Sequence, residues 1–521
     1  MFSTAIIILG LGLSTTCLVR EDSEVSHFKR KITCQTNDKF KVDCTGKNLS
    51  HIPMFPNSTK TLVLARNKIK YIPEGIFSAH IVLEDLDVSY NILVTLMPDS
   101  FIGLKNLLRL NLQGNTLGEN NSELPKICFK HLKKLRQLNF KDNHITVFPD
   151  LSLLLRLETL NATFTNKMTF GHQLKGLRFL NHFDLSSSSY ISNNPNLGLR
   201  GLGNVTNDLS HTSIEIFKFQ KLVPTFSMNQ MLLKEHLAPL NVTKLREIYV
   251  DSNRIQQIEL GAISNLPKTI DKISIGDNQL SYGLYLFEFL HLSATIVNVS
   301  YLGKSHLPVN DGMCVSILSE KNLEQTLNEY NFDSGTQHVS TVFSQIMVFN
   351  AGLKLDIWSI INLPKNLTVL YYVGSKTQFE IPRLQFSDNV LEKADFSSNI
   401  FYSLKGPTVN MPHLHELDLS NNFCSNISNV FFNGTPNIRK LQLQNNLLGF
   451  ILPNDGKGEI FRPLVKLEII DLSDNRIPRL PYSIFESHQS IKEINLRRNV
   501  LEKMQFKIDH MRNLTFFGSV K

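Results

Sequence analysis

Apolar residues return along this chain in one fixed spelling. "LHELDLSNNFC" at 414–424, "IRKLQLQNNLL" at 438–448 and "LEIIDLSDNRI" at 467–477 share it: apolar, two free positions, apolar, one free, apolar, two free, Asn, one free, apolar. The L-x-L element alternates with period two, the pattern of a short strand buried on one face. The apolar residue after Asn turns the chain back toward the same interior. An Asn in so apolar a setting needs hydrogen-bond partners, and its amide can serve its own turn and the backbone of an adjacent coil.

The spelling fills three blocks. The first holds Leu62, Leu64, Asn67 and Ile69, then Leu86, Val88, Asn91 and Leu93, then Leu110, Leu112, Asn115 and Leu117, then Leu138, Phe140, Asn143 and Ile145. The second holds Ile248, Val250, Asn253 and Ile255, then Ile273, Ile275, Asn278 and Leu280. The third starts at Leu391, Phe396 and Asn399, runs through Asn422, Asn446 and Asn475, and ends at Ile494, Leu496, Asn499 and Leu501. Within a block the asparagines lie mostly 23–25 residues apart, with gaps of 28 and 29. Such a period dictates a stack of coils, each adding one strand to a parallel sheet, with the asparagines as a structural ladder along one edge. Each coil's far side carries another apolar residue, often Phe (Phe77, Phe101, Phe485), and 34 phenylalanines against one Trp suit an aromatic spine. The fold expected is α/β: a leucine-rich repeat solenoid, or horseshoe, with a concave parallel β-sheet and convex loops or short helices.

The spelling frays at about 155–240 and 281–375. Either these are irregular coils of the same array or a separate insertion lies there. Apolar pairs keep returning near the period and no Pro/Gly/Ser-rich linker intervenes, which favours irregular coils. "SSSSYISNNPNLGLRGLG" at 186–203 is the best candidate for a protruding loop.

Composition adds bounds. At 521 residues, 42% hydrophobic, several compact domains would ordinarily be expected, and a repeat array is the exception. The net charge of +8 is scattered, its densest clusters being "FKRK" at 28–31 and "KHLKKLRQ" at 130–137, so it reads as surface solvation rather than an acidic-ligand site. The apolar run Ala5–Leu13, then small residues, then Arg20 and Glu21, outlines a secretory signal peptide over 1–17, although no Lys or Arg precedes the run. It is too short to span a bilayer, and no other stretch approaches the roughly 20 apolar residues required.

Cys17 would leave with the signal or lie beside its cleavage point. Cys34 and Cys44 bracket "CQTNDKFKVDC", and on an extracellular route a disulfide there is the natural reading, contributing about 2–3 kcal/mol. Zinc is the competing reading, without a second Cys or His pair nearby. Cys128, Cys314 and Cys424 have no evident pairing, and Cys424 falls on an apolar position that suits a buried free thiol.

"CQTNDKFKVDCTGKNLSHIPMFP" at 34–56 resembles the N-terminal cap of Toll-like receptor ectodomains, where a paired-cysteine segment with "VDC" leads through "LxxIP" into the first coil. The 24-residue coils with Phe at the back and the irregular central coils resemble that family too. The resemblance implies a signal peptide at 1–17, a cap at 30–58 and a repeat array over 59–521. Family members continue into a cysteine-rich C-terminal cap, one membrane helix and a cytoplasmic signalling (TIR) domain. This chain stops at "MRNLTFFGSVK", where Leu514 and Phe517 read as the start of another coil. It is therefore expected to be truncated without a C-terminal cap, leaving Ile494, Leu496 and Leu501 on an open edge.

The implied function is a pattern-recognition receptor ectodomain that binds a microbial or danger-associated ligand in innate immune signalling. Homo- or heterodimerisation and a protein co-receptor belong to that expectation. So does a place on the extracellular side of the cell surface or endosomal membrane, or secretion if the chain is complete. The rival is a secreted repeat protein that binds matrix or a growth factor without signalling.

No phosphate-cradling Gly loop, nucleophile elbow or His-x-x-x-His is present, so neither enzymatic residues nor a cofactor is expected. His51, His144, His211 and His413 fall in loops or at variable positions. Asp184, Asp418 and Asp471 of the "DLS" phrases could form a metal stripe but read better as a solvated face. N-x-S/T sequons are richer than composition would give: Asn48, Asn57, Asn120, Asn161, Asn204, Asn241, Asn298, Asn366, Asn426, Asn433 and Asn513. Asn161 and Asn298 occupy outward strand slots. Glycans there would stand on the concave sheet and direct a partner to the flank or convex edge of those coils.

Overall fold

The structure, a computed structural model, describes residues 34–38, 40–118, 124–145, 147–163, 173–187, 199–223, 230–280, 288–289, 292–300, 360–361, 363–374, 378–381, 383–503 and 505–518. The chain divides into two units: residues 1–227 with 235–249, and residues 228–234 with 250–521.

In the first unit Gln35–Asp38 and Lys41–Asp43 form an antiparallel pair, and Cys34 is bonded to Cys44 with their Cα atoms 4.6 Å apart. Lys41–Asp43 then begins a parallel sheet that adds one three-residue strand per coil in chain order: Thr61–Val63, Asp85–Asp87, Arg109–Asn111, Gln137–Asn139, Thr159–Asn161, His182–Asp184, Ile216–Lys218 and Glu247–Tyr249. The register is strict because the single inward side chain must land on its neighbour. Leu62, Leu86, Leu110, Leu138, Leu160, Phe183, Phe217 and Ile248 lie opposite one another, all buried. The frayed stretch 155–240 thus supplies rungs in the same register, with the eight-residue helix Leu202–Leu209 in one of its connections. Residues 188–198, most of the proposed loop, lie outside the described residues.

The second unit repeats the scheme from Lys272–Ser274 through Ile296–Asn298, Val369–Tyr371, Lys393–Asp395, Glu416–Asp418, Lys440–Gln442, Ile469–Asp471 and Glu493–Asn495 to Phe516–Gly518. Ile296 pairs directly with Val369, and the Thr368 N–H donates to the Thr295 carbonyl at 2.9 Å. Those two threonines are 73 residues apart in sequence, and the intervening 301–359 lie outside the described residues. Ile494 and Leu496 are not on an open edge. Both are fully buried, because Phe516–Gly518 adds a further rung beside them.

The eleven template asparagines are all buried. Asn91 shows the pattern: Nδ2 donates to Leu64 O of the preceding coil and to Val88 O of its own, while Oδ1 accepts from Ile69 N–H of the preceding coil. Asn499 does the same for Leu472, Leu496 and Ile477. The residue before the asparagine is left-handed in coil after coil, as at Arg66, Tyr90, Asn445 and Asp474. On the far side Phe432, Phe461, Phe485 and Phe506 follow one another at 5.6–6.3 Å between centroids, tilted, stacked and edge-to-face in turn.

Candidate ligand-binding face

In each strand the first and third side chains point away from the core, so the sheet face is a grid two positions wide. The third position is commonly Asp or Asn, for a local reason. Its side-chain oxygen accepts the N–H two residues on: Asp87 from Ser89 at 2.8 Å, Asp184 from Ser186 at 2.9 Å, Asp418 from Ser420 at 2.8 Å and Asp471 from Ser473 at 2.9 Å. The "DLS" carboxylates therefore cap the turn that leaves the strand. Among the described residues no group of three or more His, Cys, Asp or Glu gathers to hold a metal.

The first unit's face carries a recess of about 440 Å³ between Thr61 and Asn161, floored by Leu62, Leu86 and Leu110. Arg109 and Asp85 form an ion pair across it, and Thr61 Oγ1 donates to Asp85 at 3.2 Å. Beyond it a second polar group collects. Lys141 Nζ lies 2.8 Å from Asp184, Tyr249 Oη donates to Glu247 at 2.6 Å, and Lys218 Nζ sits 5.0 Å from the Tyr249 ring centroid. His182 stands among them. Burial and the Lys218 charge push its pKa down, against Asp184 and Glu247, so the ring is neutral near pH 7.

On the second unit's face Glu416 is held between Lys440 at 2.8 Å and Lys393 at 3.2 Å. Burial pushes its carboxyl up, but the two ammonium groups outweigh it and hold it below the ordinary range. Beside it Asp418 is raised, by burial first and by Asp395 opposite, against its bonds to Ser420. A polar recess of about 470 Å³ lies among Asp251, Asp277, Asn298, Ser300, Tyr371 and Asp395.

The sequence-derived positions scatter around this face. Asn161 and Asn298 sit on it, in third strand positions. Asn48, Asn57, Asn204, Asn241, Asn366, Asn433 and Asn513 are exposed elsewhere on their coils, and Asn426 lies on a side strand with Nδ2 donating to Ser403 Oγ at 3.2 Å. Asn120 and Cys314 lie outside the described residues. His51, His144, His211 and His413 are exposed and remote from one another in sequence. Cys128 and Cys424 are free, buried thiols that burial pushes up to about 12.

A leucine-rich repeat family model matches residues 57–117 and 397–458. Toll-like receptor 4 of Pinctada imbricata is 28% identical over 482 residues, covering 80% of this chain and 54% of that protein. Transforming growth factor beta activator LRRC33 of Danio rerio is 24% identical, over 88% of this chain and 76% of its own length. Toll-like receptor 7 of Mus musculus is 24% identical, over 91% of this chain and 52% of its own length. The chain thus spans about half the length of the two receptors. The chain is a leucine-rich repeat solenoid of the kind found in Toll-like receptor ectodomains.

Proposed function

We propose that the chain is the ligand-binding ectodomain of a pattern-recognition receptor, using the sheet face and its rims to bind a microbial or danger-associated ligand. The observation that carries this is the 482-residue likeness to a Toll-like receptor. That likeness runs far beyond residues 57–117 and 397–458, the two segments that the leucine-rich repeat family model matches. In this reading residues 1–17 direct export and the sequons carry glycans. The binding face looks out from the cell surface or into an endosome. Binding, not catalysis, is the activity, and dimerisation with itself or a related receptor, with or without a protein co-receptor, would turn it into a signal in the whole protein.

The test is a reporter cell bearing residues 1–521 fused to the membrane helix and TIR domain of a Toll-like receptor. It is challenged separately with purified lipopeptide, bacterial protein and single-stranded RNA. Activation by one class, lost when its face residues Arg109 and Lys393 are replaced, is the expected result.

A second reading has its own support in the zebrafish relative, whose name makes it a growth-factor activator. A chain that activates nothing in the reporter, yet captures a growth factor or matrix protein when immobilised, belongs to that class.

A further inference from the structure

We propose that the first unit carries a docking row for a sulfated glycosaminoglycan chain, on the flank where each turn enters its strand. The row is separate from the sheet face, and it needs only the export that the receptor and growth-factor readings share. It occupies the third and fourth positions before each strand. In the middle coils those two residues point outward because a buried residue stands on either side of them, as with Leu104 and Leu107 or Leu132 and Leu135. Over the eight rungs from Thr61–Val63 to Glu247–Tyr249 the two positions hold Lys105, Lys133, Lys134, Arg156, Arg178 and Lys244, and no acid. Five of the six belong to four consecutive rungs, those of Arg109, Gln137, Thr159 and His182. Charge that is scattered along the sequence is gathered here by the register.

The row is contiguous and uncompensated. Asn106 ties three successive coils at these positions: its Nδ2 donates to the Ile81 carbonyl at 2.8 Å, and its Oδ1 accepts from Lys134 Nζ at 2.8 Å. Other cations of these turns are already paired, Lys130 with Asp99 and Arg136 with Glu158. Among the described residues Lys105, Lys133, Arg156 and Arg178 meet no carboxylate, and all four are exposed. Like charges on adjacent rungs repel, and a partner of opposite charge relieves that repulsion. With rungs about 4.8 Å apart, the four span about 14 Å. In the second unit the same positions hold Lys268, Lys365, Lys466 and Arg512, never on neighbouring rungs.

A row of this kind fits a linear polyanion, and its other side chains select which. A single-stranded nucleic acid asks for stacking platforms, and Phe179 is the one aromatic ring at these positions of the first unit. An anionic membrane asks for an apolar face to insert, and the middle of the row, Lys105 to Lys134, has none. A sulfated sugar chain asks only for spaced cations. The protein's own sequons leave the place clear. Asn57 and Asn241 stand on this flank beyond either end of the row, and no sequon falls at 101–109, 129–137, 150–159 or 173–182.

The probe is a fluorescent heparin dodecasaccharide, titrated against the secreted full chain over a range of sodium chloride. Binding should saturate, and log Kd should rise linearly with log salt as counterions are released. Lys105→Gln, Lys133→Gln, Arg156→Gln and Arg178→Gln together should weaken it about tenfold or more at physiological salt and flatten the slope. A charge-matched variant, Lys268→Gln, Lys365→Gln, Lys466→Gln and Arg512→Gln, should stay within about twofold of the parent. All eight side chains are exposed, so neither variant strains the fold, and coincident far-UV spectra check this. Desulfated heparin should not bind. No saturable binding by the parent, or equal weakening in the two variants, overturns the proposal. So does tighter binding of size-matched single-stranded or duplex RNA, or of phosphatidylserine vesicles, that the first variant loses. A silent reporter cell beside intact heparin binding would count against the receptor reading and leave this one standing.

Discussion

His488 is tied to the coil before it: its Nε2 donates to the Phe461 carbonyl at 2.9 Å, and its ring is fully buried. The bond recurs from His510 to Phe485 at 3.0 Å and, in the first unit, from His80 to Phe55 at 3.3 Å. A carbonyl only accepts, so each ring is the Nε2–H tautomer, and all three Nδ1 atoms are buried without a hydrogen-bond partner. Burial pushes the pKa of His80 and of His488 below 6.5. For His488 the neighbouring His510 adds to this, and the backbone carbonyls of Phe461 and Phe485 work against it. Below pH 6.5 the unfolded chain therefore takes up protons that the folded chain refuses. Stability falls with pH until the folded pKa is passed. The unfolding midpoint should drop between pH 7.5 and 5.5, and His80→Gln with His488→Gln should flatten part of that drop. An unchanged profile would assign the acid sensitivity to other groups.

Asn446 is the clearest test of the ladder. Its Oδ1 accepts from Asn422 N–H at 3.0 Å and Cys424 N–H at 2.9 Å, and its Nδ2 donates to Leu419 O and Leu443 O, both at 3.0 Å. Asn446→Ala leaves those backbone groups buried and unpaired, at a cost of about 1–3 kcal/mol. Denaturant unfolding of mutant and parent measures it, and coincident midpoints would remove the ladder's claim on stability.

The Cys34–Cys44 bond closes a short loop beside the first rung. Non-reducing peptide mapping of secreted protein should recover the two cysteines as one linked species. Selective reduction should cost about 2–3 kcal/mol, seen as earlier melting.

Cys128 and Cys424, pushed up to about 12 by burial, should stay silent toward a thiol reagent at pH 8. Both should react only after denaturation. Rapid labelling of either in the native protein would contradict the burial of its coil.

Asn161 and Asn298 lie on the sheet itself, so glycans attached there would stand on its face. Asn161→Gln and Asn298→Gln should each remove one glycosidase-sensitive step in mass. Together they should open the face to a probe antibody raised against the unglycosylated chain. Site mapping that finds both asparagines bare would free those coils for ligand.

The period, the rungs and the ladder were legible because each is a one-dimensional pattern: one buried residue between two outward ones, and one Asn per coil. Other features are written in local hydrogen bonds or between coils. The "DLS" acids stood out as a row, yet the partner that explains each lies two residues along its own strand exit. The histidine bridges had a spelling, F-x-x-H at 77–80 and 485–488, but its meaning depends on a carbonyl roughly 25 residues earlier. The rung at Ile216–Lys218 escaped notice because uneven connections shift the count while backbone pairing holds the register.

The asparagine ladder has a polarity. Asn91 answers Ile69 N–H and Leu64 O, and Asn499 answers Ile477 N–H and Leu472 O, in each case groups of the coil upstream. A coil that loses its predecessor keeps an idle amide, which water can satisfy. A coil that loses its successor is left with main-chain groups unanswered in its interior. Among the asparagine side chains debt passes in one direction only, so loss of a coil's asparagine is registered first by the coil preceding it.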